Sequence, residues 1–310
     1  MRSFAEYIMR GRLQATSVAG LCGILSWIFP PLSYLSGATV ALVTLRLGAR
    51  EGIIIVLGTA VMVVLVALLG IRNPIPALAL ILAIWLPVWL CAQILRLTRS
   101  QGMMLVTIGI LAGLFAISLR GLMGDVHAWW RAWLGNVLEH SPIQDTQVLT
   151  PAMLDQAALM MNGLMAAAIS LSLIMTLLIA RWWQAIVYNP GGFQTEFQAL
   201  RLPRLLAIPM LVALLVVTIQ WPKGSGYGLI MDLAFVASTL YVFQGLAVIH
   251  HRIRAHNQST AWLVALYLLV FLLPHYMYLL LVMTGLMDSF IDFRGLERSA
   301  KDAHDQSSNL

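Results

Sequence analysis

One set of polar side chains in this sequence lies within long apolar runs. Asp232 is the carboxylate placed well inside such a run, and Gln244 and His275 lie in other parts of apolar segments. Charged groups at membrane depth are rare and usually face a bundle interior or a water-filled cavity, where they can receive a cation, a proton or a substrate. Amides and imidazoles at that depth can also simply bond neighbouring helices together. Asp232, Gln244 and His275 are therefore candidate substrate-binding residues, with interhelical bonding as the alternative for each.

A second set lies in the stretch NPGGFQTEFQALRLPR, which runs from Asn189 to Arg204 between two apolar blocks. Asn-Pro-Gly-Gly predicts a sharp turn with a permissive backbone. Phe193, Phe197 and Leu200 follow at the spacing of one helix face, which predicts a short amphipathic helix on the inner membrane surface. We expect a cytoplasmic elbow over 181–204 that contacts the membrane or a partner. Its candidate residues are Asn189, Gly191, Gly192, Phe193, Glu196, Phe197, Arg201 and Arg204.

Composition places both sets of residues in a membrane. Sixty per cent of the residues are hydrophobic and only 10% are charged, far less charge than the surface of a soluble domain carries. A spanning helix needs about 20 apolar residues, and apolar runs follow one another along this chain. The net charge of +6 comes from basic residues at the ends of those runs, a pattern typical of membrane topology. The predicted partner is the lipid bilayer, and no nucleic acid is expected.

The apolar runs predict the number of membrane crossings. They lie at 13–29, 31–45, 52–70, 77–95, 102–119, 153–180, 205–220, 228–249 and 260–292. Arginine-rich connectors alternate with arginine-poor ones, which places the N-terminal flank, residues 1–12, in the cytoplasm. Pro30–Pro31 and Pro274 interrupt the first and last blocks, because proline breaks a helix interior but is accepted at a helix start.

The predicted fold class is all-α: a polytopic membrane helix bundle of nine or ten passes, with proline-broken short hairpins near both ends. A single transmembrane domain would extend over 13–293, followed by a polar tail over 294–310. Two arrangements are open at Pro274. A second hairpin would leave the tail in the cytoplasm, and a single kinked helix would leave it outside.

The longest external connector, 120–152, contains a cluster of tryptophans. Trp129, Trp130 and Trp133 are residues of the kind that concentrate at the membrane–water boundary. We expect a short helix on the outer bilayer surface, and then a helix capped by Thr150 with Pro151 as its first residue. This helix would serve as an interfacial anchor, or as a lid over an outer opening.

Enzyme signatures are absent from the sequence. It has no Walker-type loop, no H-E-x-x-H, no G-x-S-x-G and no pair of intramembrane acids. Gly191 and Gly192 could cradle a phosphate, but the Lys and Ser/Thr that make such a loop specific do not follow them. Cys22 and Cys91 fall inside apolar segments, where cysteine behaves as a small hydrophobe. We expect no catalysis, no cofactor and no metal site.

Three stretches occur together in an order that resembles a known family. They are NPGGFQTEFQALRLP after a Trp-rich helix end, YVFQGLAV, and GLMDSFIDFRG. Over roughly residues 13–298 the chain resembles the YybS-like family of uncharacterised bacterial multi-pass inner-membrane proteins. The resemblance implies a bacterial inner membrane as the location. Some members look distantly similar to the substrate-binding membrane subunits of energy-coupling-factor vitamin transporters, which implies a small-molecule pocket and a cytoplasmic coupling partner.

Two functions follow from these expectations. The first is a transport-related protein that binds a small molecule, with the substrate entering from outside near Asp232. The alternative is a non-catalytic scaffold or interaction protein in cell-envelope assembly. Its partner would contact the elbow and would be recovered by cross-linking at a position such as Gln198.

Overall fold

The computed structural model describes residues 1–70, 72–140, 150–220 and 228–295, and the described residues form helices joined by turns, with no strand among them. Its α-helices are α1 (Arg2–Ile8), α2 (Arg12–Leu25), α3 (Leu32–Leu47), α4 (Ala49–Gly70), α5 (Ile75–Leu80), α6 (Leu86–Thr98), α7 (Gln101–Met123), α8 (Val126–Glu139), α9 (Pro151–Tyr188), α10 (Gly192–Gln198), α11 (Ala207–Gln220), α12 (Gly228–Ala255), α13 (Ala261–Leu272) and α14 (Pro274–Phe290). A π-helical turn, Ile81–Trp85, joins α5 to α6. The predicted all-α class is confirmed for these residues.

Within the described residues, five helical runs are long and apolar enough to cross a membrane: α4, the run Ala77–Thr98, α7, α9 and α12. Shorter apolar helices are Leu32–Leu47, Arg204–Ile219 and Ala261–Leu272. Large apolar side chains lie exposed on these helices, among them Leu69 and Phe271, at 83% and 82% of their full surface. Such surfaces are unfavourable in water and match lipid tails. The chain is a membrane protein, and the nine or ten passes stay a prediction.

Both predicted helix breaks occur at their prolines. Helix α2 ends at Leu25 and α3 begins at Leu32, directly after Pro31. These two helices pack against each other, as the predicted hairpin requires. Helix α13 ends at Leu272 and α14 begins with Pro274. Proline is accepted at this first helical position because the N–H that it lacks would have no partner within the helix. Helix α14 packs most extensively against α12.

The chain divides into two compact units, and the single transmembrane domain over 13–293 stays a prediction. The first unit comprises Met1–Ile108 and Leu171–Arg201, and the second comprises Gly109–Ser170 and Leu202–Leu310. Helices α7 and α9 therefore each contribute residues to both units.

The first unit is held by polar contacts among small and aromatic residues. The Ser36 hydroxyl of α3 donates a hydrogen bond of 2.6 Å to the Ala19 carbonyl of α2. The buried Trp85 indole donates in turn to Ser36 Oγ at 2.9 Å.

The predicted N-terminal flank also packs into this unit, since Ala5 is fully buried and the Phe4 ring meets Trp183 edge to face. Most of the flank therefore forms a helix, α1, that is packed against this unit.

The second unit centres on a close crossing of α12 and α14. A Cβ atom built on Gly245 would lie 2.1 Å from the Leu281 carbonyl oxygen, and one on Gly285 would lie 2.2 Å from the Tyr241 carbonyl oxygen. No Cβ atom fits at such distances, so glycine at both positions lets the two backbones touch. Small residues allow this kind of approach in membrane helices.

The predicted helix in the connector 120–152 is present as α8. The Asp125 carboxylate caps it by accepting from the Ala128 N–H at 3.0 Å. Trp130 is buried, whereas Trp129 and Trp133 are exposed. Thr150 Oγ1 accepts from the Met153 N–H at 3.3 Å, and α9 begins at Pro151, so the predicted cap is confirmed. The turn predicted after α8 lies outside the described residues, and the anchor and lid interpretations both stay predictions.

Candidate functional site

Asp232 lies in the second turn of α12 and is 1% exposed. Its Oδ2 accepts a 2.7 Å hydrogen bond from Nε of Arg120, near the end of α7, and Arg120 Nη2 lies 2.7 Å from the same oxygen in an ion pair. The same oxygen accepts from the Asn162 side-chain nitrogen of α9 at 2.5 Å. We call these three residues the Asp232 cluster. All three belong to the second unit.

The orientation of the Asn162 amide follows from its neighbours. Its nitrogen faces the Asp232 carboxylate and the Ala116 carbonyl, at 2.5 and 3.4 Å. The amide oxygen in that place would face two acceptors and repel both. Asn162 Oδ1 and Asp232 Oδ1 are buried as well, and neither accepts a well-formed hydrogen bond from the described residues. Buried acceptors of this kind are costly unless a water, an ion or a ligand satisfies them.

A glycine brings α9 close enough to form this cluster. A Cβ atom on Gly163 would lie 3.0 Å from Asp232 Cα and 3.1 Å from Asp232 Oδ1. Access differs between the two charged groups, because the Arg120 side chain is 31% exposed and the Asp232 side chain only 1%. The cluster is thus a buried acidic end joined to a partly accessible basic end.

Gln244 belongs to a separate network. Its Oε1 accepts from the Leu202 N–H at 3.0 Å, and its Nε2 donates to Asp288 Oδ2 at 2.9 Å and to Ser289 Oγ at 3.3 Å. Arg294 donates to both oxygens of Asp288, at 3.2 and 2.6 Å, and both side chains are fully buried. The chain itself uses both ends of the Gln244 amide. This arrangement corresponds to interhelical bonding, the alternative that the sequence offered for Gln244.

The three predicted substrate-binding residues therefore lie in three different environments. Asp232 and Gln244 are twelve residues apart on α12, which corresponds to about 18 Å along a helix. His275 is exposed at the start of α14, and its ring packs edge to face against Tyr276. The structure brings Asp232 together with Arg120 and Asn162 instead.

Sequence reasoning missed two buried charged residues. Asp232 is not the only acid within the apolar helices, because Asp288 is also fully buried. Arg294, assigned to the polar tail, is the ion-pair partner of Asp288. Both residues lie in the stretch GLMDSFIDFRG that carried the family resemblance. The signal in the sequence for this ion pair was an acid followed six residues later by an arginine.

The elbow has the predicted turn and short helix. Helix α9 ends at Tyr188, the Gly192 N–H donates to the Asn189 carbonyl at 3.0 Å, and Gly191 has a φ of +86° that favours glycine. Helix α10 follows, with the Phe193 and Phe197 rings stacked at 6.1 Å between centroids.

An ion pair fixes the elbow to the preceding helix. Arg181 Nε donates to Glu196 Oε2 at 2.7 Å, and its Nη2 bonds the other carboxylate oxygen. Gln198 and Leu200 are buried. Leu200 therefore does not extend the predicted membrane-facing stripe, and Gln198 is poorly placed for cross-linking. Arg201 is half-buried and Arg204 exposed, and contact of the elbow with a membrane or a partner stays a prediction.

Comparison with known proteins supports the membrane assignment. No curated protein and no solved structure matches this chain. The model of a family described as "Predicted membrane protein (DUF2232)" matches residues 136–289, just under half of the chain. The matched part contains Asn162, Asp232, Gln244 and the elbow, whereas Arg120 and Arg294 lie outside it. The YybS-like name is not confirmed; over residues 136–289 the chain is similar to an uncharacterised family of predicted membrane proteins.

Proposed function

We propose that this protein is the small-molecule-binding membrane component of a transport system, with the Asp232 cluster as its binding site. One observation carries the proposal: Asp232 Oδ1 and Asn162 Oδ1 are buried acceptors that accept no well-formed hydrogen bond in the described part of the chain. Ionisable groups within membrane helices mark substrate, ion and proton pathways. A ligand that donates hydrogen bonds would satisfy both oxygens.

The charges of the cluster suggest the class of ligand. Arg120 neutralises Asp232, so the unliganded cluster carries no net charge. A small molecule with an ammonium or hydroxyl group would donate to the two acceptor oxygens. If it also carried a carboxylate, the partly exposed Arg120 guanidinium could bind that group through N–H donors that Asp232 leaves unused. Small polar molecules with an amine, including zwitterions, are the proposed substrates.

The positions of Arg120 and Asp232 along their helices suggest a route of entry. Arg120 lies near the end of α7, and Asp232 lies near the start of α12. The arginine distribution of the sequence predicts the outer face for both of these helix ends. Under the proposal, substrate enters from outside, and α8 with its tryptophans lies in the connector that follows Arg120.

Ligand-dependent thermal stability of the detergent-purified protein tests this function. A library of small amines, amino acids and polyols should contain a compound that raises the Tm of the parent protein. A ligand at one hundred times its Kd adds about 2.7 kcal/mol to the stability of the folded state. Asp232→Asn should lose this response, because the amide cannot supply the same charged acceptor.

Asp155→Asn is the matched control for that experiment. Asp155 is a carboxylate of α9 that pairs with Arg131, and its side chain is 46% exposed. It should respond to the ligand as the parent does. The proposal is wrong if no compound stabilises the parent, or if Asp232→Asn keeps the full response.

The elbow favours the scaffold as a second candidate function. The Arg181–Glu196 ion pair holds α10 in place and leaves Gln194 and Thr195 exposed on an ordered surface. A cytoplasmic partner could dock there without any chemistry by this chain.

Photo-cross-linking in intact cells tests the scaffold. A photoreactive residue at Gln194 should give a single stoichiometric adduct, and Glu196→Gln should reduce its yield because the elbow loses its ion pair. The same probe at exposed Gln258, in a connector predicted on the same side, is the control. Equal labelling at Gln194 and Gln258 would reject a docking surface on α10.

A further inference from the structure

A cavity of about 340 Å³ lies in the first unit, between the ends of α3, α6 and α9 and helix α10. Three arginines line it: Arg96, Arg99 and Arg181. Glu196 and Gln184 complete its polar wall, and two buried leucines form its apolar part. Neither the sequence comparison nor the proposed function assigns a role to this cavity.

Two of the three arginines are held in place by the surrounding chain. Arg96 Nη1 donates to the Thr44 carbonyl at 3.3 Å. Gly48 packs against the same guanidinium, since a Cβ atom there would lie 2.5 Å from Arg96 Nη1, and its φ of +106° favours glycine. Arg181 is fixed by its two bonds to Glu196, and its side chain is only 12% exposed.

Arg99 differs from these two. It terminates α6 in a left-handed conformation, with φ of +53°. Its guanidinium has no hydrogen-bond or ion-pair partner among the described residues. The bond to the Thr44 carbonyl near the end of α3 thus accounts for Arg96, and the ion pair with Glu196 accounts for Arg181. Arg99 lies beside the cavity with its full hydrogen-bonding capacity.

The balance of charge around the cavity favours an anion. Three guanidinium groups face one carboxylate. Each guanidinium has five N–H donors; Thr44 occupies one of those of Arg96, and Glu196 occupies two of those of Arg181. The planar fork of the remaining donors matches the oxygens of a phosphate, which arginine binds through charge-assisted pairs.

We propose that this arginine cavity binds a phosphate group. Its volume is in the range of small-molecule sites, large enough for a phosphate with a small attached group. All three arginines lie in connectors that the sequence predicts on the cytoplasmic side, where basic pockets between membrane helices bind lipid headgroups. The phosphate belongs either to an anionic lipid or to a soluble compound. The inference concerns the first unit alone and does not depend on the Asp232 cluster.

The test measures the Tm of the full-length protein in a neutral detergent with two phosphate sources. In one arm, inorganic phosphate is titrated against sodium chloride at matched ionic strength. In the other arm, phosphatidylglycerol is titrated against phosphatidylcholine in mixed micelles. We expect stabilisation of the parent in at least one arm. Arg99→Gln should lower the apparent affinity about tenfold, as expected for the loss of one charge-assisted interaction.

Arg50→Gln is the matched control, because it removes the same charge from an exposed residue at the start of α4, outside the cavity. It should respond as the parent does, and Arg99→Gln should fold normally because its side chain has no partner to lose. A response to inorganic phosphate alone identifies a soluble ligand, and a response to phosphatidylglycerol alone identifies a lipid headgroup. Responses in both arms identify the phosphate group itself. Equal responses of Arg99→Gln and Arg50→Gln, or no response of the parent, would overturn the proposal.

Discussion

Replacing Gly285 by alanine should leave little folded protein. The new methyl group would lie 2.2 Å from the Tyr241 carbonyl oxygen and 2.9 Å from the Gly245 nitrogen. Both are backbone atoms, so α14 would have to move away from α12 along their contact. Overpacking a core generally costs about 1–3 kcal/mol, and we expect the upper end or more here because no flexible side chain can yield. Size-exclusion profiles and Tm in detergent would measure the loss.

Gly121→Ala is the control for this substitution. Gly121 is also a helical glycine, in α7, and apart from its chain neighbours and the backbone of its own helix no described atom lies within 4 Å of the position of its added Cβ. Its variant should match the parent in yield and Tm. If Gly285→Ala matched the parent as well, the backbone contact between α12 and α14 would be looser than described.

Replacing Asp288 by alanine should be the most destabilising change of a charged residue. It would leave Arg294 buried without its carboxylate and would remove an acceptor of the Gln244 amide. Removing one partner of a buried ion pair typically costs about 3–5 kcal/mol. The Tm of Asp288→Ala in detergent should fall well below that of the parent.

Two further variants separate the buried pair from a general effect of charge. Asp155→Ala breaks an exposed pair with Arg131 and should cost less than about 1 kcal/mol. The double variant Asp288→Leu, Arg294→Met should recover part of the loss, because apolar residues can replace a buried pair. A Tm for Asp288→Ala equal to that of Asp155→Ala would contradict the assigned role of this network.

Features that depend on a residue's own backbone could be predicted from the sequence. Proline lacks an N–H and clashes within a helix, so Pro31 and Pro274 located two helix starts. Glycine accepts a positive φ, so the turn at Gly191 was predicted. The cap at Thr150 and the long apolar helices follow in the same way, because each depends on neighbours within a few positions.

Pairings between distant residues could not be predicted in this way. Arg120 and Asp232 are 112 residues apart, and Gln244 and Asp288 are 44 apart. Position relative to an apolar run gave Arg120 and Arg294 a topological role, and that rule carries no information about partners. His275 and Gln244 were joined to Asp232 by residue type alone, and residue type does not determine which helices meet.

The Gln244–Asp288 bond also imposes an order on the biogenesis of the second unit. Gln244 is synthesised 44 residues before Asp288, an interval of about 2–9 s at 5–20 residues per second. During that time α12 presents an amide whose acceptor does not yet exist. The arrival of α14 satisfies that amide and brings Gly285 onto the Tyr241 backbone. Assembly of this unit therefore cannot be completed before α14 has been made, seconds after the helix it packs against.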